Sequence, residues 1–183
     1  MPNRHTTSQF DAALLRPVVS QGEEPWAFVV LPKRVSDTLP RRGRTTVEGS
    51  LNAQPFQATL EPDGRLSHWL RVKREWMDAA GVDVGDVVHF EIVSVEKEPE
   101  PDVPSDFREA LEGDPEARAV WEKATALAHV DWIHWITSAK QAKTREKRIR
   151  GACEMLASGK RRVCCFDPSG YYSKAFGAPE AAK

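Results

Sequence analysis

At 183 residues, with 40% hydrophobic and 29% charged residues, the chain can fill one sizeable core or a small barrel beside a compact helical unit, and its composition excludes the weakly apolar, highly charged disordered class. A formal net charge of -1 excludes a chain-wide drive toward nucleic acid or an anionic surface. The charge is arranged in blocks instead. Residues 98–136 carry 10 acidic and 3 basic side chains, a net of -7, and residues 137–163 carry 2 and 9, a net of +7.

Residues through Ser8 are polar and aperiodic, so a loose start is expected. An opening strand over 10–16 and a loop over 17–25 lead to the aromatic and β-branched run 26–31, which suits a mostly buried strand. The basic segment 33–44 contains Pro40 and Gly43 and reads as a solvated loop. Alternation then predicts a strand at 45–52, in which Gly49 permits a bend, and another at 56–60. Pro62-Asp63-Gly64 turns the chain into a strand at 68–72. A short helix over 73–80 stops at Gly81, and Gly85-Asp86 turns into a strand at 87–95. Five or six such strands solve their edge problem by closing into a barrel. Trp26, Phe28, Phe56, Trp69 and Phe90 are the expected aromatic filling.

Pro99, Pro101 and Pro104, interleaved with acidic residues, predict an extended connector over 98–104. Ser105 is the expected cap of a helix stopped by Gly113, and Asp114-Pro115 opens a second over 116–126. A longer helical stretch over 129–157 changes face and predicts a kink or break near Ser138. Trp121, Trp132 and Trp135 are expected to anchor these helices. The expectation is an α+β chain: a small, mainly antiparallel β-barrel over 9–97, the connector 98–104, a helical domain over 105–163, and a tail over 164–183.

Three cysteines cannot complete a disulfide framework, and the first 30 residues lack the apolar core of a signal peptide, which predicts a reduced, cytoplasmic setting. The apolar run ending at Pro32 is far shorter than the roughly 20 residues of a membrane span. There is no GxGxxG, no phosphate loop, no HExxH and no GxSxG, so no catalytic, cofactor-binding or metal-binding residue is assigned. Neither His129 and His134, five apart, nor His68 and His89 on separate strands have metal-ligand spacing. Cys164-Cys165 lacks CxxC spacing, which favours structural or merely exposed thiols. The basic flank Lys160-Arg161-Arg162 would act to lower a thiol pKa. Glu109 and Glu112 share a helix face, as solvation alone explains.

Two series of residues carry a resemblance. Trp26-Ala27-Phe28-Val29, Leu31-Pro32, Val47-Glu48-Gly49, Pro55-Phe56, Gly81 and Gly85-Asp86-Val87 resemble the small-barrel DUF1905 domain often joined to bacterial bacteriocin-protection proteins. Pro104, Ala110-Leu111, Trp132-Ile133, Ala139-Lys140, Thr144-Arg145, Arg148-Ile149 and Leu156-Ala157-Ser158-Gly159 resemble the helical YdeI/OmpD-associated bacteriocin-protection family. The resemblance implies a link to bacteriocin or antimicrobial-peptide tolerance and no catalytic residue set. The function expected is therefore nonenzymatic binding or stress protection. A small-molecule enzyme with an unrecognised pocket and a protein-interaction scaffold are the alternatives.

One surface stands out. At 100° per residue Lys140, Lys143, Lys147 and Arg150 fall within an arc of about 80°, a candidate surface for a protein or a small anionic ligand. Nucleic acid is disfavoured because no aromatic-rich binding module accompanies it. Arg145 and Arg148 lie off this stripe and are expected to bridge helices through planar guanidinium contacts.

Overall fold

The computed structural model describes residues 6–18 and 25–183. The expectations for residues 1–5 and for most of the 17–25 loop lie outside the described residues. The chain divides into two compact units, one from Met1–Lys97 with Ser169–Lys183, the other Glu98–Pro168.

The first unit holds six strands: β1 (Ser8–Ala13), β2 (Ala27–Val30), β3 (Thr45–Leu51), β4 (Gln54–Pro62), β5 (His68–Val72) and β6 (Val87–Ser94). All pairs are antiparallel, in the order β1-β6-β3-β4-β5-β2. The two ends of this order meet where Leu15 and Phe28 exchange amide hydrogen bonds of 2.9 Å each. The sheet is thus a nearly closed barrel, which leaves little free strand edge. Residues 16–18 add a pairing with the far end of the chain, where Val18 donates to the Glu180 carbonyl and Ala182 to that of Arg16.

Two-residue alternation decides what fills the barrel. Phe56 and Leu60 from β4, and Val88, Phe90 and Ile92 from β6, point into the core. Phe10 lies directly opposite Phe90, with the rings stacked 5.1 Å apart. Helix α2 (Arg74–Ala80) buries Met77 in the same core and ends at Gly81, whose φ of 68° is the left-handed cap conformation glycine adopts without strain. The expected filling needs correction at Trp26, Phe28 and Trp69, none of which lies in the barrel core. Ala27 and Val29 occupy the inward parity of β2, so Phe28 faces away and packs with Trp26 and Trp69, at 6.4 and 6.2 Å, outside the main core. Gly49 is also used differently from the expected bend, because it allows close approach of β3 and β6 backbones.

The basic segment 33–44 is not simply the solvated loop expected, since Val35, Ser36 and Gly43 are buried. Its first turn is helix α1 (Lys33–Ser36), with Val35 and Ser36 buried. A buried histidine fastens it: His68 Nε2 lies 2.9 Å from the Gly43 carbonyl, and Nδ1 lies 2.6 Å from Ser36 Oγ. Because a carbonyl only accepts, Nε2 carries the hydrogen, and in the neutral ring that burial favours Nδ1 accepts from the Ser36 hydroxyl. Burial accordingly pushes its pKa below the ordinary 6.5. The unfolded chain then takes up the proton first on acidification. This contribution to stability is complete above pH 6.5 and is lost as pH falls from there toward the lowered native pKa. Urea unfolding between about pH 8 and about pH 5 should show His68→Gln less stable at neutral pH but with a shallower acid loss than the wild type. Parallel curves would show that His68 is not the neutral, buried group described.

The second unit contains α3 (Ser105–Glu112), α4 (Pro115–Lys123), α5 (Ala126–Thr137) and α6 (Ala142–Ala157). Asp114 caps α4 as expected, accepting from the Ala117 amide at 3.1 Å ahead of Pro115. Ser105 does not cap α3. The cap position falls on Pro104, whose φ of -55° already suits helix entry, and Ser105 is the first helical residue. The stretch expected over 116–126 stops at Lys123, because Thr125 caps α5 by accepting from the Ala128 amide. The break near Ser138 is present between α5 and α6. Phe107, Leu111, Trp121, Trp132, Ile136, Ile149 and Leu156 lie in the core. Trp121 and Trp132 therefore anchor the helices from within the core, and partly buried Trp135 packs against it.

Polar bonds hold this packing. Arg145 donates two hydrogen bonds to Asp106, at 2.7 and 3.1 Å, and Arg148 donates to the Trp135 carbonyl at 2.6 Å. Both are the interhelical guanidinium contacts expected. Arg145 holds the Asp106 carboxyl below the usual carboxylate range; partial exposure limits the pair to about 0.5–1 kcal/mol. Buried His129 stacks on Trp121 at 3.9 Å and lies between the Glu100 carboxylate, 2.8 Å from Nδ1, and the Trp121 carbonyl, 2.7 Å from Nε2. This bond fixes one acidic residue of the connector against the helical unit.

Candidate functional site

A cleft of about 380 Å³ opens on the barrel unit, lined by Pro25, Trp26, Arg71, Lys73, Arg74 and Glu75. Strand pairing assembles it. The β2–β5 register sets Ala27 opposite Val72 and Phe28 opposite Arg71, which brings the chain entering β2 beside the chain leaving β5. Arg71 has the outward parity of β5, since Leu70 and Val72 fill the core. Its guanidinium lies over the Trp26 ring, 4.3 Å from the centroid, and Trp26 stacks with Trp69. Lys73 directly precedes α2 and reaches over Trp76 at 5.4 Å. Arg74, in the first turn of α2, pairs with Asp78 at 3.0 Å and Asp83 at 3.4 Å.

Among the described residues, three cations and one carboxylate, Glu75, line this cleft. The arrangement suits binding of an anion against an aromatic wall. Sequence reasoning missed this site. The alternation of Trp69 and Arg71 with Leu70 and Val72 signals an outward face, but the approach of Trp26 depends on a pairing across about forty residues.

The basic stripe is arranged differently from its expected form. Lys143, Lys147 and Arg150 are exposed on α6, but Lys140 precedes the helix, so helical spacing does not relate it to the other three. Glu146 and Glu154, also exposed, lie within three or four residues of these cations and reduce the net charge of the face.

Among the described residues there is no group of three or more His, Cys, Asp or Glu side chains able to hold a metal. Cys153 is buried, and burial pushes its thiol pKa up. Cys164 and Cys165 are exposed, and a hydrogen bond to Cys164 raises the Cys165 pKa, opposite to the direction expected of the basic flank. Glu109 and Glu112 are both solvent-exposed on α3. No described helix is long and apolar enough to cross a membrane.

Residues 10–92 match the model of a domain of unknown function, DUF1905, and residues 100–159 match that of the family described as bacteriocin-protection, YdeI or OmpD-associated. No curated protein matches the chain significantly. The first match runs through all six barrel strands, leaving out only the start of β1 and the end of β6, and the second ends just beyond α6. The barrel unit thus carries the match to DUF1905, and the helical unit the match to the family described as bacteriocin-protection, YdeI or OmpD-associated.

Proposed function

We propose that this is a nonenzymatic binding protein contributing to bacteriocin or antimicrobial-peptide tolerance, and that its barrel domain takes a small anionic ligand. The observation that carries the reading is the convergence of Arg71, Lys73 and Arg74 on one cleft with Trp26 in its wall. Guanidinium groups supply planar, directional donors to a carboxylate or phosphate, and the Trp ring keeps water from one side of the bound group. The family name supports the link to tolerance. Protection then acts through ligand binding inside the cell rather than at a membrane.

A second surface accompanies it. With Arg145 bonded to Asp106 and Arg148 to the Trp135 carbonyl, Lys143, Lys147 and Arg150 are left facing solvent, a surface suited to an acidic protein partner.

Thermal unfolding with citrate and with inorganic phosphate tests the cleft. A ligand at a hundred times its dissociation constant should stabilise the wild type by about 2.7 kcal/mol. Arg71→Gln/Lys73→Gln should abolish this gain, and Lys140→Gln/Lys143→Gln/Lys147→Gln should keep it. Equal stabilisation of all three proteins would reject the cleft. In cells deleted for the gene, the wild type but not the cleft variant should restore survival under peptide challenge.

A further inference from the structure

The connection after α6 brings two thiols together. Side chains of consecutive residues in extended backbone point to opposite sides, but Cys165 has a φ of 61°, and in this turn its Sγ lies 3.0 Å from that of Cys164. Both residues are solvent-exposed and neither is in a disulfide, whereas the remaining cysteine, Cys153, is buried. We infer that Cys164 and Cys165 form a dithiol site that captures a mono-substituted trivalent arsenical, with both sulfurs bonded to one arsenic.

Geometry selects this class of thiophile. With bonds of about 2.3 Å to sulfur, two sulfurs lie about 4.6 Å apart around a linear soft cation, about 3.8 Å around a tetrahedral one, and about 3.3 Å around a pyramidal centre with near right angles. The observed 3.0 Å lies nearest the last and needs only a small thiol rotation. The number of ligands agrees. Among the described residues no third His, Cys, Asp or Glu completes a metal-binding group, and an arsenic with one bond to carbon takes two sulfurs. The reaction is a condensation without redox change: R–As=O and two thiols give R–As(S)2 and one water. Two S–H bonds break, two As–S bonds form, and both protons leave with the oxygen.

The test uses the full-length protein, reduced with a phosphine, and phenylarsine oxide as the probe. Intact mass should show one phenylarsenic group per chain with loss of two hydrogens, removed by a small dithiol and retained against a monothiol. Because the second sulfur binds intramolecularly, Cys164→Ser and Cys165→Ser should each weaken binding about 100-fold or more. Both sites are exposed, so folding should be unaffected, as circular dichroism can check. The double variant, which retains Cys153, should show no adduct. Single-serine variants that bind as tightly as the wild type, or an adduct on the double variant, would overturn the proposal.

Discussion

Replacing Gly49 with alanine should cost the barrel unit about 3 kcal/mol, the upper part of the range for an overpacked interior. Gly49 sits in β3 between two partners, paired with Ile92 of β6 and Phe56 of β4. A Cβ built there would lie 1.9 Å from the Glu91 carbonyl oxygen, 3.0 Å from its carbonyl carbon and 3.1 Å from Ile92 Cα. All three atoms are backbone, so no side-chain rotation can relieve the contact and the β3–β6 ladder must open locally. Gly81→Ala is the informative comparison. Its Cβ meets nothing within 4 Å, and only the left-handed φ of 68° opposes it, a cost of about 1–2 kcal/mol. Urea unfolding of both variants should place Gly49→Ala at the lower midpoint. Equal midpoints would mean that β3 and β6 do not approach as closely as described.

Trp132→Ala should destabilise the helical unit by about 3–5 kcal/mol, the usual cost of truncating a buried aromatic side chain and leaving a cavity. Trp132 is fully buried among the helices, meets Trp135 edge to face at 6.3 Å, and donates its indole hydrogen to the Arg161 carbonyl at 3.1 Å. Trp132→Phe separates the two contributions, since it keeps most of the packing but removes the donor. Its loss should be clearly smaller, about 1–3 kcal/mol. Trp69→Ala, at a partly exposed position outside the barrel core, supplies a milder reference. A Trp132→Ala midpoint indistinguishable from that of Trp69→Ala would contradict the central place of Trp132 in this core.

Hydrogen bonding and position separate the roles of the charged residues in the two units. Arg145 and Arg148 are bound to Asp106 and the Trp135 backbone, so their replacement tests folding. Arg71 and Lys73 line the cleft, so their replacement tests binding.

Local features of the chain were legible without coordinates because their causes are local. Alternation marked β3, β4 and β6, the Pro62-Asp63-Gly64 turn introduced β5, Gly81 stopped α2 where a left-handed residue was needed, and Asp114-Pro115 opened α4. The change of apolar face near Ser138 revealed the break between α5 and α6. Features resting on contacts between distant residues were decided only in three dimensions. The outward placement of Phe28 depends on which side of β2 meets the core, and a four-residue strand buried at three positions carries no readable alternation. The cleft depends on the pairing of β2 with β5, and the clamp of His68 on Ser36 and Gly43 on the return of a separate segment. Lys140 left the basic stripe because helical spacing applies only within a continuous helix, and α6 begins at Ala142. Periodicity and turn chemistry thus determined which elements this sequence forms, whereas strand pairing and side-chain burial across long separations decided which of its residues meet.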